Sequence, residues 1–185
     1  MSGKQVINYK KYYENAKNEV LNKNYENAIK LYEKLIKHDN KNLNYLKEIA
    51  HLYVVINNFN QAIEYYKKAI SFEKNVVEIA IILNEIGICY TNIKNYTNAL
   101  EYFEKVLIIK NDIPDVYNNI SFCYKELKNF ELCEKTYYKS LRIKKQTKIF
   151  SALGDLYLYT KKYELSIKCF TPFYISNADF NIKKK

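Results

Sequence analysis

The chain has 185 residues, is 48% apolar and carries 30 Lys and Arg against 20 Asp and Glu, a formal net charge of +10. Only three glycines and two prolines occur, which disfavours a β-sandwich or barrel, where such residues recur at the turns. The charge suits a nucleic acid, an anionic membrane surface or an acidic protein partner. An A/T-rich codon usage would also account for the positive charge, because Lys, Asn, Ile and Tyr, which A/T-rich codons encode, are abundant together.

The sequence offers little to an enzyme, a metal site or a membrane span. His38 and His51 are distant in sequence from the four cysteines, and no Cys-x-x-Cys pair occurs, which disfavours zinc. Glycine-rich phosphate loops and metalloprotease motifs are absent. The first ten residues lack a signal-peptide core, and no apolar run approaches the ~18 residues of a membrane helix. We therefore predict no catalytic residue, cofactor, metal or membrane insertion, and a cytoplasmic, reducing, intracellular location.

Helical patterns alternate with short polar turns from residue 9 onward. In the third of them Leu46, Ile49, Ala50 and Tyr53 follow the i, i+3, i+4, i+7 spacing of an amphipathic helix. Pro114 suits a first helical turn, and Asp112 is a candidate cap before it. The patterns predict an all-α fold with helices at 9–22, 25–37, 43–56, 59–72, 76–93, 96–109, 114–127, 130–143, 147–160 and 163–170.

Three landmarks recur along these helices. A small residue stands near the start of every second helix, 33 to 37 positions after the previous one, at Ala28, Ala62, Ala99, Cys133 and Ser166. An aromatic follows four positions later, at Tyr32, Tyr66, Phe103, Tyr137 and Phe170. The helices between them carry their own tiny residue, at Ala16, Ala50, Gly87, Ser121 and Gly154. Small residues let paired helices approach closely, and stacking buries surface that one pair cannot bury alone.

With these landmarks and a period near ~34 residues, the chain resembles the tetratricopeptide repeat family over roughly residues 9–170. The resemblance implies about five repeats, each an antiparallel pair of helices A and B, stacked as a right-handed superhelical solenoid. We expect a tail at 1–8, a repeat domain at 9–172 and a C-terminal cap or tail at 173–185. The repeats are expected near 9–42, 43–75, 76–113, 114–146 and 147–172.

In this family the A helices line a concave groove that holds peptides, so the resemblance implies a candidate groove in this chain. Alignment of the repeats places thirteen residues on it: Lys10, Tyr13, Lys17, Asn44, Lys47, His51, Asn84, Ile88, Asn118, Phe122, Lys148, Ser151 and Asp155. The same alignment also places Leu21, Val54, Ile81, Asn92, Lys125 and Tyr159 there.

Two of the groove residues suggest how a peptide could be held. Asn84 and Asn118 take the same position in consecutive repeats. Carboxamides with that spacing could pair with the N–H and C=O groups of an extended peptide as a ladder. Coincidence is the alternative, because Asn is common throughout the chain.

The groove lysines suggest the charge of a ligand. Lys10, Lys17, Lys47 and Lys148 would make the groove basic, with Asp155 as the main exception. That favours an acidic or phosphorylated ligand by charge complementarity. A solvated helix face explains the lysines equally well.

The expected function is a non-enzymatic scaffold or adaptor that binds a peptide or protein in this groove. One alternative is a recruiting domain of a larger enzyme or assembly. Another is an RNA-binding helical repeat, which is less favoured because the repeat core takes most Tyr and Phe and leaves few for base stacking. A homo-oligomer is also compatible with the sequence.

Overall fold

A computed structural model describes residues 9–171, and within them the chain forms ten α-helices and no strand. The predicted all-α fold is confirmed. The expectations for residues 1–8 and 173–185 lie outside the described residues. The helices are α1 Tyr9–Leu21, α2 Tyr25–His38, α3 Leu43–Val55, α4 Phe59–Phe72, α5 Val76–Asn92, α6 Tyr96–Ile109, α7 Pro114–Glu126, α8 Phe130–Ile143, α9 Thr147–Tyr159 and α10 Tyr163–Phe170.

The chain divides into two compact bodies, Met1–Asn95 and Tyr96–Lys185. In the first body α1 to α5 pack consecutively, each helix on the next. In the second body α6 to α10 do the same. We call the odd-numbered helices A helices and the even-numbered ones B helices.

The small landmark residues lie where helices meet. Ala50, Ala62 and Ser121 are fully buried. In the last helix pair the hydroxyl of Ser166 donates to the carbonyl oxygen of Gly154 at 3.0 Å. A side chain of α10 reaches the backbone of α9 only because both positions are small, so the landmarks mark close helix contacts as predicted.

A residue in the left-handed region of backbone space follows every A helix. These residues have φ between 59° and 61° and are Lys23, Asn57, Lys94, Lys128 and Lys161. The next residue closes the helix end, as where Asn129 N donates to the Tyr124 carbonyl at 2.9 Å. This is the hydrogen bond of a Schellman-type end, which glycine usually permits. Each A helix therefore ends one residue earlier than the sequence predicted.

The start of α7 corrects one prediction. Pro114 lies in the first turn as expected, but Ile113 occupies the N-cap position and offers no side-chain cap. Asp112 lies 3.9 Å from the Lys110 ammonium instead. Proline has no N–H to be capped, so this helix start has fewer free donors to satisfy.

The described helices and cysteines set limits on the chemistry of this part of the chain. None of the helices within residues 9–171 combines the length and apolarity that a bilayer span requires. The same residues contain no group of three or more His, Cys, Asp or Glu placed to hold a metal ion. All four cysteines are buried free thiols. Burial raises the pKa of Cys89 and of Cys133 to about 12, so these thiols are protonated packing groups.

Candidate functional site

The thirteen residues assigned to the groove all lie on A helices, and each is exposed or half-buried. The opposite side of each A helix is buried, for example at Leu46 and Ile49 on α3. We call the exposed and half-buried side the A-helix surface of each body. The N-terminal body carries eight of the thirteen and the C-terminal body five.

An aromatic cluster lies between the first and second repeats. The Tyr13 ring is 5.4 Å from the Tyr45 ring and 6.2 Å from the Tyr32 ring, centroid to centroid. The Lys17 ammonium sits 4.8 Å from the Tyr13 ring centroid. Tyr32 is fully buried, and its hydroxyl has no hydrogen-bond partner. Burial, with the nearby Glu48 carboxylate, raises the pKa of Tyr32.

Two of the groove lysines form ion pairs between neighbouring A helices. In the N-terminal body Lys47 on α3 lies 2.9 Å from Glu78 on α5. In the C-terminal body Lys148 on α9 lies 2.8 Å from Asp115 on α7. The hydrogen bond from Lys148 lowers the pKa of Asp115. Each acidic partner offsets the charge of its lysine, so the surface is less basic than a count of lysines suggests.

The remaining groove lysines lie at the start of the N-terminal body. Within the described chain, Lys10 and Lys17 have no carboxylate at ion-pair distance. Further along the same body the pKa of Glu85 is raised overall, because burial raises it more than the nearby His51 lowers it. The groove lysines without an ion pair in the N-terminal body therefore lie on α1, where the exposed Glu14 stands one turn from each of them.

The two groove asparagines share an unusual feature. The side-chain oxygen of Asn84 and that of Asn118 are both buried without a hydrogen-bond partner. The Asn118 amide nitrogen is 3.5 Å from the Asp115 carboxylate. An unpaired buried acceptor costs free energy, and a donor from outside the chain reaches these oxygens only when the Asn side chains turn toward the surface. The two residues belong to different bodies, and the ladder stays a prediction.

A pocket of about 460 Å³ opens in the C-terminal body between the end of α7 and the A helix α9. Phe130 and Tyr137 of α8, with Tyr159 of α9, supply three aromatic side chains to its lining. The Phe130 and Tyr159 rings stand 5.1 Å apart at an interplanar angle of 57°. Tyr137 is buried, whereas Tyr159 is 67% exposed, so the pocket has an aromatic floor and an aromatic wall open to solvent.

Charged groups surround this aromatic lining. Lys125 is 3.7 Å from Glu126 and 5.2 Å from the Phe122 ring centroid. Lys128 and Asp155 also line the pocket. Neither has an ion pair or a side-chain hydrogen bond to any described residue. The Asp155 carboxylate therefore remains free at the edge of the rings.

The sequence predicts part of this pocket. The repeat alignment places Asp155, Lys125 and Tyr159 on the A-helix surface, and Tyr137 is one of the recurring aromatics, which is buried here. Phe130 was not predicted. The signal for it is an aromatic residue that recurs directly after each turn between helices A and B, as at Phe59 and Tyr96.

Comparison with known proteins identifies the repeats. The family model described as tetratricopeptide repeat matches residues 46–76, 80–112 and 114–147, more than half of the chain. The chain belongs to the tetratricopeptide repeat family. This confirms the resemblance read from the landmarks. No curated protein matches the chain at a significant level.

Solved tetratricopeptide structures share this fold. The crystal structure of MamA matches with a TM-score of 0.75 at 20% identity, over 84% of this chain and 90% of MamA. MamA from Desulfovibrio magneticus RS-1 gives 0.77 at 15% identity, over 88% and 90%. YrrB, a TPR protein with an unusual peptide-binding site, gives 0.68 at 14% identity, over 85% and 80%. At these identities the likeness establishes the fold alone.

Proposed function

We propose that this tetratricopeptide chain is a scaffold or adaptor that holds a segment of a partner protein against its A helices. The observation that carries the proposal is that the A helices bury one side against B helices and leave the other open. The thirteen residues proposed for the groove are all exposed or half-buried residues of A helices. Repeats of this kind use such extended surfaces for binding.

Polar and aromatic groups on the A-helix surface support a peptide ligand. The side-chain oxygens of Asn84 and Asn118 lack hydrogen-bond partners, and once the two side chains rotate toward the surface, backbone N–H groups of an extended peptide would satisfy them. Tyr13, Phe122 and Tyr159 offer aromatic area that is not fully buried. YrrB, which shares the fold, is described as having a peptide-binding site.

For the N-terminal body we propose an acidic segment of the partner as ligand. Lys10 and Lys17 have no described carboxylate at ion-pair distance. Complementary charge of this kind mainly speeds association and sets orientation. Changing both lysines to Gln should slow association with the partner at low salt, and the difference should shrink as salt screens the charges.

Capture with two matched triple variants tests the proposed function. The first variant changes the A-helix surface at His51, Asn84 and Asn118 to Ala, and the second changes Lys30, Glu64 and Lys135 on exposed positions of B helices. A partner captured by the wild type and identified by mass spectrometry is then titrated against each purified chain. We expect the first variant to bind at least about fivefold more weakly and the second to bind normally. The reverse result would refute the assignment to the A helices.

A further inference from the structure

The aromatic pocket in the C-terminal body has the chemistry of a receptor for a positive charge. The face of an aromatic ring is electron-rich and attracts ammonium and guanidinium groups. Phe130 and Tyr159 present rings inclined at 57° whose centroids are 5.1 Å apart, and the Tyr137 ring lies in the same lining. Tyr159 remains 67% exposed, so most of its ring can contact a ligand.

The charges at the pocket point the same way. Asp155 is an exposed carboxylate with no described partner, one turn of α9 before Tyr159. It lies close enough to Tyr137 to contribute to the raised pKa of that phenol, after burial and Cys133. A carboxylate beside aromatic faces is the combination that a cationic side chain satisfies best.

We propose that this pocket binds the side chain of an Arg or Lys residue of a protein partner, which lies over the exposed ring of Tyr159 with its charge on Asp155. The proposal rests on the proposed scaffold function and names the chemistry of one contact. The two bodies then prefer ligands of opposite charge: the C-terminal body binds a basic residue, and the N-terminal body binds an acidic segment.

The two lysines in the lining do not make this an anion site. Lys125 is engaged by the Glu126 carboxylate at 3.7 Å and by the Phe122 ring. Lys128 is in the exposed turn, and its ammonium, on a flexible four-carbon stem, can move into solvent. Asp155 has a short side chain on a rigid helix and keeps its place at the rings. An anion bound in the pocket would be repelled by the Asp155 carboxylate.

A titration with Nα-acetyl-L-arginine amide tests the pocket on the full chain. The probe is followed by two-dimensional amide NMR, with the neutral isostere Nα-acetyl-L-citrulline amide and with Nα-acetyl-L-glutamate amide as comparison ligands. We expect the arginine probe to shift resonances of residues 125–130 and 152–159, with much weaker effects from the other two. Equal binding of citrulline, tighter binding of glutamate, or no shift with arginine at these residues would overturn the proposal.

Matched variants identify the groups responsible. Asp155→Asn changes an exposed side chain and should keep the wild-type circular dichroism and melting curve, whereas Tyr159→Ala also removes the ring contact with Phe130 and should lower the melting temperature slightly without changing the circular dichroism. Each should weaken the arginine probe about three- to fivefold. Asp115→Asn removes a carboxylate from the A helix α7, away from the pocket, and should leave the titration unchanged. A loss as large in Asp115→Asn as in Asp155→Asn would mean that general surface charge, not the pocket, attracts the probe.

The outcome is distinguishable from the fate of the scaffold function. Specific arginine binding without any partner on the A helices would leave the pocket chemistry intact and refute the scaffold proposal. A partner that binds the A helices while the arginine probe does not bind would refute the pocket assignment alone.

Discussion

The ring of Phe170 on α10 fills the space beside Gly154 on α9. A Cβ placed on Gly154 would lie 2.5 Å from the Cζ atom of that ring. In the same helix pair the Ser166 hydroxyl donates to the Gly154 carbonyl oxygen at 3.0 Å. The missing side chain at Gly154 thus admits both a ring and a hydrogen bond, and α9 and α10 meet at this point.

This contact predicts how substitutions at Gly154 behave. Gly154→Leu should lower the free energy of unfolding by roughly 1–3 kcal/mol, because the neighbouring helix cannot withdraw freely. Gly154→Ala should be less favourable in the wild type than in a Phe170→Ala background. In the Phe170→Ala background the Phe170 ring no longer blocks the added Cβ, so the gain of about 1 kcal/mol in helix propensity is not offset. Urea unfolding of the single and double variants measures the coupling. Equal effects of Gly154→Ala in both backgrounds would show that the ring does not demand glycine.

The left-handed lysines predict a stabilising substitution. Lys23 has φ of 61°, a conformation that disfavours any side chain and that glycine adopts freely. Lys23→Gly should therefore raise the free energy of unfolding by about 0.5–1 kcal/mol. Lys30→Gly, inside α2 of the same hairpin, should lower it by about 1 kcal/mol. Thermal and urea unfolding compare the two, and the same sign of change in both would contradict the role of the turn.

The buried thiols predict a loss of stability in alkali. The folded-state pKa of Cys89 is raised to about 12 and that of Cys169 to about 11, both chiefly by burial. The folded chain therefore holds protons that the unfolded chain releases near the ordinary thiol pKa of about 8.5. This contribution is complete below that pH and is lost as the pH rises toward 12. Urea unfolding at pH 8 and pH 10 should show a smaller drop for Cys89→Ala than for the wild type.

Thiol labelling offers a second check on the same residues. With all four cysteines buried, a thiol reagent at pH 8 should modify the native chain slowly and the urea-unfolded chain at once. Rapid modification of any cysteine in the native chain would contradict the packing role of that residue.

The two groove asparagines predict a separation of stability from binding. Asn84→Ala together with Asn118→Ala removes two buried, unpaired acceptors, so the free energy of unfolding should stay the same or rise by about 1 kcal/mol. Affinity for a captured partner should fall, because the peptide loses two hydrogen-bonding groups. Asn60→Ala, on the exposed side of the B helix α4, is the control. Normal binding by the double variant would end the ladder hypothesis.

The helix positions followed from the sequence because the landmarks repeat with each helix pair. The starts of all ten helices within residues 9–171 coincide with the predicted ones. The predicted A helices ended one residue too late, because the left-handed residue that follows the helix end is often Lys, as at Lys94 and Lys128. Lysine gives no sequence signal for a left-handed conformation, whereas glycine would have done so.

The contacts on the A-helix surface could not be predicted from the sequence. Lys47 and Glu78 are 31 positions apart, and Asp115 and Lys148 are 33 apart. Whether such pairs meet depends on the offset between neighbouring A helices, and a periodic pattern does not specify that offset. The pocket depends on the packing of the helices as well, because Phe130 of α8 lines it together with Tyr159 of α9. The centroids of these two rings are 5.1 Å apart.

Site-directed photo-crosslinking tests the central claim, that a partner segment lies on the A helices, most directly. A photoreactive phenylalanine replaces one exposed residue at a time, at Lys10, His51 or Ser151 on A helices and at Lys30, Glu64 or Lys135 on B helices. After irradiation with the captured partner, we predict crosslinked product from the A-helix positions and background levels from the B-helix positions. Crosslinking confined to the B-helix positions would contradict the account.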